Sequence, residues 1–327
     1  MTSIEKIRYL YPKAIKRLRQ IIAEAITHRS ITFPPELRHI HELDVALQNI
    51  ERRWPAMGEA EADTERPVFL LSAGWRSGST LLQRLICSSG EIVIWGEPLG
   101  DAALIPRMAN SLTALTDVWP PENYFAHDLA LGSFSENWIA NVTPPIASLR
   151  NAHRALLDEW LAKPAREVHG TALWGLKEVR LTIEHARYLK WLYPKARFVF
   201  IYRNLFDAYR SWRGNAWAST WPGYFSWSPI AYARHWKLLL TGYLDGWQEI
   251  GGYLIKYEDL VAGTVDLTAL AAYLGVSRID SSVLEKRIGS PVDNNKRKRP
   301  KKWVTPVEKL LLSLTAGKIL KRAGYKQ

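Results

Sequence analysis

Cysteine is almost missing from this 327-residue chain, with Cys87 the only one. A lone thiol excludes an intramolecular disulfide framework, and with eight scattered histidines it leaves no metal-ligand spacing. Long hydrophobic runs are lacking too. No uninterrupted apolar stretch is long enough to span a bilayer, and the start, Met1-Thr-Ser-Ile-Glu-Lys-Ile-Arg8, has no signal-peptide hydrophobic region. These absences lead us to expect a cytoplasmic protein. Acid is scarce relative to base: 32 Asp and Glu stand against 44 Lys and Arg, a formal charge of +12. Such an excess invites a nucleic-acid reading, yet much of it lies near the ends, at Lys13, Lys16, Arg17 and Arg19 and in the run Lys296 to Lys302. No nucleic-acid partner is expected; an anionic small molecule accounts for part of the charge, and peripheral contact with an anionic membrane stays open. Oligomeric state is not readable from these features.

What is present is a globular composition, 47% hydrophobic and 23% charged. Helical periodicity covers residues 4 to 29 and again Pro35 to Arg53, where Leu37, Ile40, Leu43, Leu47 and Ile50 form a stripe. Met57 to Arg66, with four acidic residues, reads as a linker. We expect an N-terminal helical extension over 1–65 and a main domain over 66–327. In the main domain, apolar strands at Val68 to Leu71, Ile92 to Trp95, Ala172 to Leu176, Phe198 to Tyr202 and Tyr253 to Ile255 alternate with helical patterns. One such pattern covers Ala147 to Leu161 and another Thr182 to Leu192. This is an α/β fold, a P-loop-like parallel sheet flanked by helices.

The most informative stretch is Pro67-Val-Phe-Leu-Leu-Ser-Ala-Gly-Trp-Arg-Ser-Gly-Ser-Thr-Leu-Leu-Gln-Arg-Leu-Ile86, a buried strand, a small-residue loop and a helix. Its loop aims backbone N–H groups and a helix N-terminus at one spot, where Trp75, Arg76, Ser77, Gly78, Ser79 and Thr80 are the candidate anion-binding residues. The nucleotide-triphosphate form of this loop has Gly, four residues, Gly, Lys. Here three residues separate Gly74 from Gly78, and Ser79 replaces the lysine. A P-loop kinase or other NTPase is therefore the weaker alternative, whereas the guanidinium of Arg76 suits a bidentate grip on phosphate or sulfate.

A second strand, Phe198 to Tyr202, ends in Arg203 and is followed by a helical segment with Ser211 eight residues on. With the first loop, this resembles the sulfotransferases that use 3′-phosphoadenosine 5′-phosphosulfate (PAPS), over about residues 66 to 305. Trp95-Gly-Glu-Pro98, Leu176-Lys-Glu-Val-Arg180 and Lys256-Tyr-Glu-Asp-Leu260 add to the resemblance, and the wording is nearest to the carbohydrate branch and its bacterial relatives. The resemblance implies that the first loop holds the 5′-phosphosulfate and that Arg203 and Ser211 clamp the 3′-phosphate. Two departures stand out: Asn204-Leu205 replaces the usual Asp-Pro, and the C-terminal Arg-Lys-Gly loop of the cytosolic branch is absent. Only the basic run containing Lys298 and Arg299 occupies a comparable place.

Sulfuryl transfer by in-line displacement needs an acceptor hydroxyl or nitrogen, a proton acceptor, and cations for the leaving phosphate. Glu97, leaving a strand end beside the loop, is the expected general base; His127 is its rival, with His235 behind it. Lys177 is placed to reach the bridging oxygen, the other reading being a strand-end salt bridge. Glu258 and Asp259 are expected to orient basic groups. The Gly- and Pro-containing stretch Gly214 to Pro229 carries several tryptophans and reads either as a lid over a small polar or glycosidic acceptor or as packing.

Overall fold

A computed structural model describes residues 40–55, 65–97, 102–125, 131–136, 138–213, 228–285 and 303–326. The expected helix over 4–29, most of the linker, His127, the aromatic stretch 214–227, and Lys298 and Arg299 lie outside the described residues.

Five strands, β1 (Val68–Ser72), β2 (Ile92–Trp95), β3 (Leu173–Glu178), β4 (Arg197–Tyr202) and β5 (Tyr253–Lys256), form one parallel sheet in the order β2-β3-β1-β4-β5. All five strands expected from the sequence are present. β3 is longer than expected, because Lys177 and Glu178 stay in register with Leu70 and Leu71 of β1. Two charged residues thus continue a central strand, each with an ionic partner described below.

The period-two alternation of the strands divides the apolar side chains between two layers. Phe69, Leu71, Trp174, Leu176, Phe198 and Phe200 point into the larger core. Val68, Leu70, Val199 and Ile201 point into the smaller one. On the larger face lie α1 (Ile40–Arg53), α6 (Ile183–Leu192), α7 (Leu205–Arg213), α8 (Pro229–Gly246) and α11 (Pro306–Arg322). Leu43, Leu47 and Ile50 of α1 join that core, so the stripe read in the sequence is a packing surface. The opposite face is covered by α2 (Ser79–Cys87) and α10 (Leu267–Leu274), with α9 (Tyr257–Val261) following β5 directly.

Between β2 and β3 lies a helical insertion containing α3 (Leu104–Asn110), α4 (Ile146–Leu157) and α5 (Lys163–His169). The single helix expected over Ala147 to Leu161 is longer: a π-helical turn, Asp158–Ala162, joins α4 to α5. Helix α11 was not anticipated, although Thr305 and Glu308 form a reciprocal capping box around Pro306 at the first helical position, which is a sequence-level start signal.

The chain leaves β1 toward β2 on one side and leaves β4 toward β5 on the other, although β1 and β4 are hydrogen-bonded neighbours. This is a topological switch point, and in open α/β sheets such a point, at the carboxyl ends of the strands, is where ligands bind.

Candidate functional site

Three left-handed residues shape the loop after β1: Gly74 (φ +83°), Arg76 (φ +67°) and Gly78 (φ +93°). Arg76 is a side-chain-bearing residue in a conformation L residues rarely adopt, so the surrounding contacts have to impose it. They are present. Ser77 Oγ donates to the carbonyls of Ala73 and Gly74 at 2.9 and 3.1 Å, and Ser72 Oγ donates to Gly74 O at 2.9 Å. Trp75, 3% exposed, turns its ring inward, stacked on His235 at 4.9 Å and tilted against Trp212 at 5.1 Å. Tyr232 donates its hydroxyl to Trp75 O at 2.7 Å. The loop is pinned from below, while Arg76 and Thr80 remain exposed at its mouth. Ser79 opens α2, whose cap residue, Gly78, offers no side-chain acceptor to the first turn.

The second half comes from β4. Arg203 sits just past the strand, its carbonyl held by Trp236 Nε1 at 3.1 Å. Asn204, the departure noted in the sequence, does the work of a helix cap: its Oδ1 accepts from Phe206 N–H at 2.9 Å, and its own N–H donates to Glu258 Oε1 at 3.0 Å. The two segments then meet. Arg203 Nη1 donates to Arg76 O at 3.3 Å, and Arg76 Nε donates to Ser211 Oγ at 3.0 Å. The Arg203 guanidinium lies 4.3 Å from the Tyr257 ring centroid, a cation–π contact. Its Nε is buried without a hydrogen-bond partner among the described residues. Tyr257 also faces the loop, and a Cβ on Gly78 would stand 2.2 Å from its Cδ2. Only glycine fits there, on conformation and on space alike.

Beside this pair, β2 and β3 bring together Glu97 and Lys177. Lys177 Nζ donates to Glu97 Oε1; the lysine side chain is 7% exposed and the glutamate 22%. The next residue, Glu178, is buried and pairs with Arg180 at 3.1 Å. Burial pushes the Glu178 carboxyl up, against the pull of Arg180, and the charge of Glu97 adds to the rise.

His235 is 3% exposed, and burial lowers its pKa to about 3, so the ring under the loop is neutral. Glu258 does not orient a basic group: it holds the Asn204 N–H and accepts the Tyr325 hydroxyl at 2.6 Å. Sequence reasoning passed over Tyr257, Tyr232 and the Glu178–Arg180 pair. The first and last lie within quoted motifs, whereas Tyr232 joins the loop only through the tertiary fold. Among the described residues no group of three or more His, Cys, Asp or Glu side chains is arranged to hold a metal. No described helix is long and apolar enough to cross a membrane.

No curated protein matches the chain. Among solved structures, the sulfotransferase domain of a Synechococcus olefin synthase is similar at 16% identity and a TM-score of 0.44, over 81% of this chain and 98% of that one. A sulfotransferase from Mycobacterium avium is similar at 13% identity and a TM-score of 0.40, over 94% and 90%. One from Alicyclobacillus acidocaldarius shows 15% identity and a TM-score of 0.41, over 81% and 98%. A family model described as the sulfotransferase family matches residues 67–280, a span that holds Arg76, Arg203, Ser211 and the Glu97–Lys177 pair. With that match covering well over half of its length, the chain belongs to the sulfotransferase family.

Proposed function

We propose that this sulfotransferase takes its sulfuryl group from PAPS and delivers it to a hydroxyl, or an amine or guanidine nitrogen, of a small polar or glycosidic acceptor. One observation carries the reading: Arg76, Arg203 and Ser211, far apart in sequence, are linked by hydrogen bonds at the carboxyl ends of β1 and β4. Two guanidinium groups, hydroxyls and a helix N-terminus converge there. The neighbouring carboxylates are engaged, Glu258 with Asn204 and Tyr325, Glu178 with Arg180. That donor set fits a nucleotide with phosphate at both ends of its ribose. The buried Nε of Arg203, without a hydrogen-bond partner among the described residues, is a donor in need of an acceptor.

In this assignment Arg76, Ser77, Gly78, Ser79 and Thr80 would hold the 5′-phosphosulfate. Trp75 contributes through its backbone, because its ring faces inward. Arg203 and Ser211 would hold the 3′-phosphate, with Lys298 and Arg299 as further cations. When bound, the donor supplies an activated sulfuryl group on an anhydride oxygen. Glu97 then serves as proton acceptor for the incoming nucleophile, with His127 the alternative. Proton uptake at Glu97 neutralises the partner of Lys177 and leaves the ammonium free for developing negative charge, so the ion pair couples the two tasks.

Two measurements test the reading. Calorimetric titration should show much tighter binding of adenosine 3′,5′-bisphosphate than of 5′-AMP, and labelled PAPS incubated with a metabolite extract should yield sulfonated products. Equal affinity for the two nucleotides would remove the 3′-phosphate assignment, and recovery of a simple phenol product alone would remove the polar-acceptor assignment.

A further inference from the structure

Helix α11 carries apolar residues on two faces. The inner one, Leu312, Ala316 and Leu320, is buried in the larger core. The outer one is not covered: Val307 is 66% exposed, Leu310 58% and Leu314 75%, and Trp303, just before the helix, is 85% exposed. Positions 307, 310 and 314 fall at steps of three and four on the helix, so they line one stripe, and Trp303 lies in the non-helical segment that leads into it. Trp303 is presented outward rather than loose, since its carbonyl accepts from Arg213 at 3.3 Å. Three aligned apolar side chains and an exposed tryptophan at the start of the helix are apolar surface of the kind that marks a docking site.

Charge selects the occupant. The stripe continues through Lys318 and Lys321, both exposed, at the same helical spacing. Lys309, Lys318 and Lys321 have no acidic partner among the described residues, and Arg322 pairs with Asp245 at 2.5 Å. From Trp303 to the end of the sequence the sole acid is Glu308, and it is buried, pairing with Arg213 at 2.6 Å. Lys301 and Lys302 precede Trp303 directly. A second copy of the chain would add base to this basic surface and neutralise none of it. An anionic bilayer satisfies both halves of the stripe: Trp and Leu enter the headgroup boundary, and the lysines meet lipid phosphates and carboxylates. We propose that the outer face of α11 docks this protein on an anionic lipid surface. The docking is independent of the transfer chemistry. It also brings the membrane close to the candidate site, because Glu308 and Arg213 tie α11 to α7, the helix that carries Ser211.

The test is flotation of the full chain with vesicles of phosphatidylcholine, with or without phosphatidylserine. Binding should be roughly tenfold or more stronger to the anionic vesicles and should fall steeply with salt. The exposed double variant Leu310→Gln, Leu314→Gln should lose about tenfold of that binding, with unchanged melting temperature and unchanged affinity for adenosine 3′,5′-bisphosphate. Lys318→Gln with Lys321→Gln should weaken binding to anionic vesicles and leave the weak binding to neutral ones alone. Three results would overturn the proposal: no preference for anionic vesicles, anionic binding untouched by the Leu310 and Leu314 changes, or a dimer by sedimentation velocity that the double variant dissociates. The last would make the stripe an interface between copies.

Discussion

Arg76 Nε and Ser211 Oγ, 135 positions apart in sequence, lie 3.0 Å apart. This bond joins the loop after β1 to the helix after β4, so the residues assigned to the two phosphates of one nucleotide are mechanically linked. Arg203 closes the arrangement through the Arg76 carbonyl. Arg203→Ala should weaken adenosine 3′,5′-bisphosphate by roughly 1.5 to 3 kcal/mol and leave 5′-AMP nearly unchanged. Ser211→Ala should produce a smaller loss of the same kind. The double variant should lose less than the sum, because both residues contact Arg76 and share the same phosphate. An unchanged preference for the 3′-phosphorylated nucleotide in Arg203→Ala would reject the clamp.

Gly78 makes a separate prediction. Its φ of +93° and its closeness to Tyr257 act together, so Gly78→Ala should destabilise the fold by roughly 1 to 3 kcal/mol and displace the ring that faces Arg203. Adding Tyr257→Ala removes the collision but not the backbone strain. Thermal denaturation should therefore show only partial recovery in the double variant. Full tolerance of Gly78→Ala would show that the loop relaxes freely, against the account of a rigid cradle.

Strand positions and the small-residue loop after the first strand were legible in the sequence, because they depend on local signals: period-two apolar runs and small residues at a strand end. The pairing of Arg203 with Ser211 was instead read from the family resemblance. What was not legible is tertiary. Nothing local says that Arg76 reaches Ser211, that Trp75 turns its ring into the core, or that Lys177 is bonded to Glu97. The apolar run of β3 stops at Leu176, yet Lys177 and Glu178 continue the strand with Glu97 and Arg180 as partners. Helix α11 was missed for a different reason: its capping box was readable, but apolar residues on two faces blur the helical period.

Two buried histidines set the acid response. His185 and His235 each have a pKa near 3, chiefly through burial, against an ordinary 6.5. Above pH 6.5 the ring is neutral whether folded or not, and the native state keeps its full stability. Below it the unfolded chain binds protons that the folded chain refuses, so stability falls from pH 6.5 toward 3. At pH 5 each ring accounts for about 2 kcal/mol of that loss. Glu178 works in the opposite sense: its raised carboxyl favours the folded state at low pH, and this contribution is lost as pH rises through its folded value. Replacing a histidine isolates one term. Urea unfolding at pH 7 and pH 5 should show His185→Gln losing markedly less stability on acidification than the wild type, and an identical loss in both would disprove the assignment.

The Glu97–Lys177 pair carries the mechanistic prediction, since the contact suits two roles that separate under mutation. If Glu97 is the proton acceptor, Glu97→Gln should lower turnover by roughly a hundredfold to ten-thousandfold at nearly normal affinity for adenosine 3′,5′-bisphosphate. The acidic limb of the kcat/KM profile should vanish with it. If the carboxylate serves only to hold Lys177, the acidic limb should persist, and the double variant Glu97→Gln, Lys177→Met should be no worse than Lys177→Met alone. Lys177→Met should slow turnover while keeping the acidic limb, because the base is still there but the cation for the leaving phosphate is not. Retained turnover in Glu97→Gln, together with a severe loss in His127→Ala, would move the proton-accepting role to the histidine and leave Glu97 as the partner that keeps Lys177 in place.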